Sequence, residues 1–127
     1  MWKIVPCVEW EKDKEWYQKK RPAELAAVLH NFKRYMKLLE VSRNSRCVMA
    51  GFLHPEPCGV IAIDQSRGGG NLQETRLYTF ADDSTKTVYI ITVGNKDDQP
   101  SDVMIAKEFV EYMRQLAVKA ESTNTPE

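Results

Sequence analysis

The stretch RLYTFADDSTKTVYIITVGNKDDQPSDV, from Arg76 to Val103, decides the fold of this chain. Residues 74–81 and 87–93 are rich in β-branched and aromatic residues, and the polar sequence DDST between them is typical of a hairpin. Because side chains alternate between the two faces of a strand, Arg76, Tyr78 and Phe80 are expected to share one face. The pattern predicts two antiparallel strands, the first of which places an arginine on a sheet surface.

Two further strands are predicted before this hairpin. GVIAIDQ, residues 59–65, is expected to pair with it in one antiparallel sheet. WKIVPCV, residues 2–8, is predicted to be a short strand, and Pro6 favours an edge position because proline cannot donate a ladder hydrogen bond. Residues 42–58, which contain two prolines in HPEPCG, are predicted to be irregular, and SRGGGN at 66–71 is predicted to be a plain turn.

Three helices complete the predicted architecture. Residues 9–20 carry their acids early and their lysines late, as a helix dipole favours, and a last helix is expected to open near Pro100 and to continue to about Leu116. Residues 22–40 show the strongest helical period in the chain and are expected to pack on one face of the sheet. That apolar stripe consists of Leu25, Val28, Leu29, Phe32, Tyr35, Met36 and Leu39.

The predicted fold class is therefore α+β, in the order β-α-α-β-β-β-α, with a helical hairpin packed on an antiparallel sheet. The length of 127 residues fits one domain, which we place at residues 1–119, followed by a polar C-terminal tail at 120–127. The formal net charge is zero. However, residues 1–50 contain 11 Lys or Arg against 6 Asp or Glu, so the first part of the chain is basic and the rest is acidic.

Composition excludes several classes of protein. Three cysteines without a C-x-x-C spacing indicate neither a disulfide framework nor a zinc site, and we expect no cofactor and no metal. No apolar run approaches the roughly 20 residues of a membrane helix, and the N-terminal sequence lacks the pattern of a signal peptide. The expected location is therefore cytoplasmic, with no membrane partner.

The predicted order of elements resembles that of the RelE/ParE superfamily, the small toxins of bacterial toxin–antitoxin systems. The sharpest local likeness is TRLYTF…VYIITVGNKDDQPSDVMIAKEFV, which is similar to the family's Arg-containing strand, its next strand and a Gly-x-Lys-x-x-Gln-x-x-Asp stretch leading into a helix. The resemblance implies either cleavage of messenger RNA, often on the ribosome, or poisoning of DNA gyrase. It also implies an antitoxin protein as a partner, with RNA or the ribosome as the target of a ribonuclease.

Cleavage of RNA through its 2′-hydroxyl requires cations on the phosphate and groups that transfer protons. The resemblance implies that Arg76 and Lys96 hold the phosphate without a metal and that Tyr78 handles protons. His54 is the other candidate for proton transfer, because histidine titrates near neutral pH, although its spacing does not direct it to Arg76. Arg76, Lys96 and Tyr78 also have structural explanations. Arg76 is then paired with Glu74 or with an acid on a neighbouring strand, Lys96 is a solvated loop charge, and Tyr78 belongs to the core.

The sequence also departs from an active ribonuclease site. Asp64 stands where many ribonuclease members carry an arginine, and the loss of one transition-state donor commonly costs about 3 kcal/mol. Asp97 and Asp98 make the loop after the last predicted strand acidic. Two hypotheses stay open: a weak metal-independent endoribonuclease, and a non-catalytic protein-binding module on the same fold that resembles a gyrase poison or is regulatory. An unrelated enzyme near HPEP is a third hypothesis, for which no motif is found.

Overall fold

The computed structural model describes residues 1–65 and 72–124, with side chains described as far as residue 120. The turn predicted at 66–71 and residues 125–127 of the predicted tail lie outside the described residues. The described elements, in chain order, are β1 (Lys3–Pro6), α1 (Val8–Lys20), α2 (Pro22–Val41), β2 (Leu53–Pro55), β3 (Val60–Asp64), β4 (Thr75–Asp82), β5 (Thr87–Asn95) and α3 (Gln99–Asn124).

The five described strands form one sheet in the order β1-β5-β4-β3-β2. β3, β4 and β5 pair antiparallel, which confirms the prediction for the three strands around the hairpin. β1 lies at an edge, as Pro6 indicated, but it pairs parallel with β5. The prediction of a wholly antiparallel sheet is therefore wrong at this edge. A strand's residue pattern does not specify direction, whereas the long connection through α1 and α2 lets β1 run parallel to a distant strand.

β2 is a strand that the sequence pattern did not predict. Residues 42–58 were expected to be irregular, but Leu53 lies opposite Ile63 and His54 opposite Ala62 in an antiparallel pair. The prolines that argued against a strand are tolerated because β2 is an edge strand, whose outer side makes no ladder hydrogen bonds. This short strand brings His54 to the sheet.

Helices cover both faces of the sheet. α2 packs on one face, which confirms the prediction for residues 22–40, and its stripe meets Ile63, Leu77 and Val93. α3 covers the other face, where Ala106 and Val110 pack against Tyr78 and its neighbours. The alternation predicted for β4 is confirmed, since Leu77 faces α2 while Tyr78 faces α3.

α3 has 26 residues and runs to Asn124, beyond the predicted end near Leu116 and into the segment predicted as a tail. Its first half is anchored by the buried side chains of Ala106 and Val110, whereas Arg114 to Ala120 are exposed. None of the described helices, α3 included, combines the length and the apolar run that crossing a bilayer requires.

Gly94 allows the first turn of α3 to lie directly on β5. A Cβ atom at this position would fall 1.8 Å from Asp102 Oδ2 and 2.9 Å from Asp102 Cγ. Only glycine fits such an approach without displacing the carboxylate. Asp102 is 7% exposed as a result of this packing.

Gly94→Ala is expected to lower the free energy of unfolding by about 1–3 kcal/mol, because the added methyl group overpacks the contact with Asp102. Gly51→Ala is the matched control, since no atom lies within 4 Å of a Cβ built at Gly51. The control should change stability by less than about 0.5 kcal/mol. Urea unfolding measures both variants.

The double variant Gly94→Ala/Asp102→Ala isolates the contact. Removing the Asp102 carboxylate should make the alanine at position 94 much less costly than it is in the natural background. Equal costs of Gly94→Ala in the two backgrounds would show that the approach of α3 to β5 does not depend on this glycine.

Candidate functional site

Arg76 lies near the start of β4, on the sheet face that α3 covers. Its cross-strand neighbours are Asp64 on β3 and Gly94 on β5. The space above Gly94 is occupied by Asp102 of α3, and the carboxylate nearest to the Arg76 guanidinium comes from Asp64 on β3. The Arg76 side chain is only 19% exposed.

Three carboxylates surround this guanidinium. Arg76 Nε lies 2.9 Å from Asp64 Oδ1, while Nη1 and Nη2 lie 3.8 Å from Glu56 Oε1 and 3.7 Å from Glu74 Oε1. The Gln99 amide oxygen, in the orientation that its donors require, accepts a hydrogen bond from Arg76 Nη1. The structural explanation, pairing with Glu74 and with an acid on a neighbouring strand, is thus what the structure shows.

His54 joins this cluster from the edge of the sheet. Its Nε2 lies 2.5 Å from Asp64 Oδ2, and its side chain is 40% exposed. His54, Asp64 and Arg76 therefore form a continuous polar row across β2, β3 and β4. A histidine oriented by a carboxylate is an arrangement capable of general acid–base chemistry.

The sequence spacing did not connect His54 with Arg76, and it identified Asp64 only as a departure from a family pattern. The missing information was β2, because the register of β2 on β3 carries the imidazole to the carboxylate. The single signal in the sequence was the position of a polar residue, Asp64, at the end of the apolar strand VIAID.

Tyr78 is fully buried under α3. Its hydroxyl has no hydrogen-bond partner among the described residues. Burial raises the pKa of Tyr78 well above its usual value, and the Asp102 carboxylate raises it further, against a smaller lowering by Arg76. The ring lies in the core, so its hydroxyl is not accessible to a substrate at the surface.

Lys96 lies in an exposed 3-10 turn, two residues after the glycine that pairs with Arg76. Within residues 1–65 and 72–124, no hydrogen bond or ion pair joins Lys96 to Arg76 or to the carboxylates around it. The tertiary structure therefore brings together His54 and Arg76 of the four predicted site residues. It leaves Lys96 in solvent and Tyr78 inside.

A second group of acids, Asp102, Asp98 and Asp13, lies near Gly94. Asp102 Oδ2 is buried and has no hydrogen-bond partner among the described residues. Burial, with the nearby carboxylates of Asp98 and Asp13, raises the pKa of Asp102 to about 7. Among the described residues, no group of three or more His, Cys, Asp or Glu side chains is arranged to hold a metal ion.

No protein-family model matches the chain, and no curated protein matches it. These two comparisons therefore give no relative from which a role could be transferred.

Arg76→Gln is expected to lower the free energy of unfolding by roughly 1–3 kcal/mol, because it leaves the partly buried carboxylates of Asp64 and Glu56 without their cation. Lys96→Gln is the matched control, since Lys96 is exposed and makes no ion pair among the described residues. Its effect should stay within about 0.5 kcal/mol. Chemical unfolding measures the change in stability of both variants. Equal changes would contradict the structural role assigned to Arg76.

Asp102 should make stability depend on pH. Its folded-state pKa of about 7 lies well above the ordinary pKa of an aspartate, so ionisation is less favourable in the folded chain. The stability that the protonated form provides is present at low pH and is lost as pH rises towards and through 7. Between pH 5 and pH 8 the natural protein should lose about 2–3 kcal/mol relative to Asp102→Asn. Parallel urea titrations measure the difference, and identical pH profiles would contradict the assignment.

Proposed function

We propose that this chain is a RelE/ParE-like, toxin-type domain that acts by binding a protein partner rather than by cleaving RNA. The observation that carries the proposal is the enclosure of Arg76 by Asp64, Glu56 and Glu74. A phosphate-cleaving site needs a cation whose donors are available to the phosphate. Here Arg76, the candidate cation on the sheet face, is already surrounded by three carboxylates and the Gln99 amide.

The electrostatic balance supports this ranking. A phosphate that reached Arg76 would meet one favourable charge and the unfavourable charges of Asp64, Glu56 and Glu74, which lie 2.9, 3.8 and 3.7 Å from the guanidinium nitrogens. At 4 Å each unit-charge interaction is worth about 1 kcal/mol in bulk water and about 4 kcal/mol near a protein surface. The phosphate would also have to displace Asp64, whose Oδ1 lies 2.9 Å from Arg76 Nε.

Two features support the family-level part of the proposal. The first is the order of elements, with two helices between an edge strand and the antiparallel strands, and a last helix after the hairpin. The second is the stretch from Gly94 to Asp102, which matches the pattern Gly-x-Lys-x-x-Gln-x-x-Asp. Toxins of this superfamily are paired with antitoxins, so an antitoxin-type protein is the proposed partner.

α3 provides surface for such a partner. Its second half extends beyond the described core and exposes Tyr112, Leu116 and Val118 by 57%, 42% and 65%. Apolar side chains grouped on one exposed helix are typical of surfaces that other proteins cover.

A weak endoribonuclease is the second candidate, and the His54–Asp64 contact favours it. The imidazole is held by a carboxylate and is 40% exposed, which suits a group that exchanges protons with a substrate. In this mechanism His54 takes the 2′-hydroxyl proton or supplies the proton of the leaving oxygen, and Arg76 contacts the phosphate after release from Asp64. The need for that release is the reason that we rank this candidate second.

Incubation with labelled messenger RNA, alone and on ribosomes, separates the two candidates. We expect no cleavage by the natural protein. Cleavage that is lost in both His54→Ala and Arg76→Ala, but kept in Lys107→Ala, would establish the endoribonuclease instead. Expression in a bacterium supplies the second measurement. Any growth defect should be the same for the natural protein and Arg76→Ala, and it should be relieved by an antitoxin-type protein encoded beside this one.

Asp64→Arg tests the electrostatic explanation directly. The substitution removes a carboxylate from Arg76 and adds a cation, so RNA affinity should rise about tenfold, whereas Glu108→Arg on the exposed face of α3 should change it about twofold. Filter binding measures both variants, and circular dichroism confirms that they are folded. Equal affinities in the two variants would show that Asp64 does not control phosphate binding.

A further inference from the structure

A pocket of about 290 Å³ opens between α1, the turn after β5 and the start of α3. Three carboxylates from these elements line it: Asp13, Asp98 and Asp102. The aromatic rings of Trp16 and Tyr17 form another part of its wall. The described lining residues include no lysine, arginine or histidine. The volume lies at the lower end of the range for ligand sites, which suits a group of side-chain size.

The burial of Asp102 and its missing hydrogen-bond partner in the described part of the chain indicate a ligand. Asp102 is 7% exposed, it lines the pocket, and its Oδ2 has no hydrogen-bond partner among the described residues. A buried carboxylate without a partner is unfavourable unless a cation or a donor compensates it. Apart from burial, the groups that act on its pKa are Asp98 and Asp13, both acids. A cation from outside the chain would supply the missing partner.

Asp13 is better satisfied, and its contacts fix its position in the pocket. The Thr92 hydroxyl on β5 donates a hydrogen bond to Asp13 Oδ2. Burial raises the pKa of Asp13, while this bond and a backbone N–H at Val93 lower it. The carboxylate is therefore held by the sheet, where it adds negative charge beside Asp102.

The aromatic wall favours an organic cation. Trp16 is 52% exposed, and its ring meets that of Tyr17 edge to face, with centroids 5.1 Å apart and planes at 73°. That contact holds an exposed indole beside the acids. Guanidinium and ammonium groups bind both carboxylates and aromatic faces. The acids do not form a cluster of the kind that holds a metal ion.

We propose that the pocket between α1 and α3 binds an organic cation, a guanidinium or a primary ammonium group. The cation forms charge-assisted hydrogen bonds with Asp102 and Asp98, and its planar or alkyl part lies against Trp16. The group belongs either to a basic side chain of a bound peptide or to a free small amine. The site is separate from the Arg76 cluster, so it stands whether or not the proposed function is correct.

Calorimetric titrations at pH 8 with two probes test the proposal. The first probe is agmatine, a free guanidinium compound, and the second is the blocked tripeptide acetyl-Gly-Arg-Gly-amide. The same tripeptide with citrulline in place of arginine is the neutral control. We expect the arginine probe or agmatine to bind, and the citrulline peptide to bind at least about tenfold more weakly. Tighter binding of the peptide assigns the cation to a partner's side chain, and tighter binding of agmatine assigns it to a free amine.

Asp102→Asn should weaken binding of the better probe about tenfold. Asp97→Asn is the matched control, because this acid lies in the same turn as Asp98 but does not line the pocket, and it should change affinity less than about twofold. Trp16→Ala should weaken binding severalfold through loss of the aromatic face. Absence of binding by both probes would overturn the proposal. So would equal effects of Asp102→Asn and Asp97→Asn, or equal binding of the citrulline and arginine peptides.

Discussion

The close approach of Asp102 to Gly94 sets where the last helix crosses the sheet. It holds the first turn of α3 against β5, since no side chain separates them. In that position α3 buries Tyr78, carries Gln99 to Arg76 and closes the pocket that Asp13 and Asp98 share with Asp102. One glycine thus determines how two polar groups are placed on the same face of the sheet.

The two polar groups differ in how their charges are balanced. At Arg76 one cation is surrounded by three carboxylates and an amide, so its charge is balanced within the chain, and His54 contacts one of these carboxylates, Asp64. At Asp102 three acids share a pocket whose described lining contains no basic group. The first arrangement favours stability over binding of an anion, whereas the second leaves a charge for a partner to compensate. This difference in charge balance is why we assign the Arg76 group to stability and the Asp102 group to binding.

Much of the central fold followed from local patterns. The hairpin was predicted from two runs of β-forming residues around DDST, and α2 from an apolar stripe at helical spacing. Both signals are local, because strand alternation and helical periodicity are read within a few residues. The parallel pairing of β1 and the short strand at Leu53–Pro55 were not predicted. Direction of pairing depends on the path of the chain between strands, and an edge strand needs few β-forming residues when its neighbour supplies the ladder.

Local sequence patterns predict the α+β class, the hairpin that carries Arg76 on one sheet face, and the accumulation of acids after β5. Strand pairing and helix packing were needed to show that Asp64, Glu56 and Glu74 surround Arg76, that His54 reaches Asp64, and that Asp13 from α1 meets Asp102 from α3. The reason is physical. Alternation and periodicity fix the face on which a side chain lies, but a charge acquires its partner through register and helix packing, which join residues far apart in the chain.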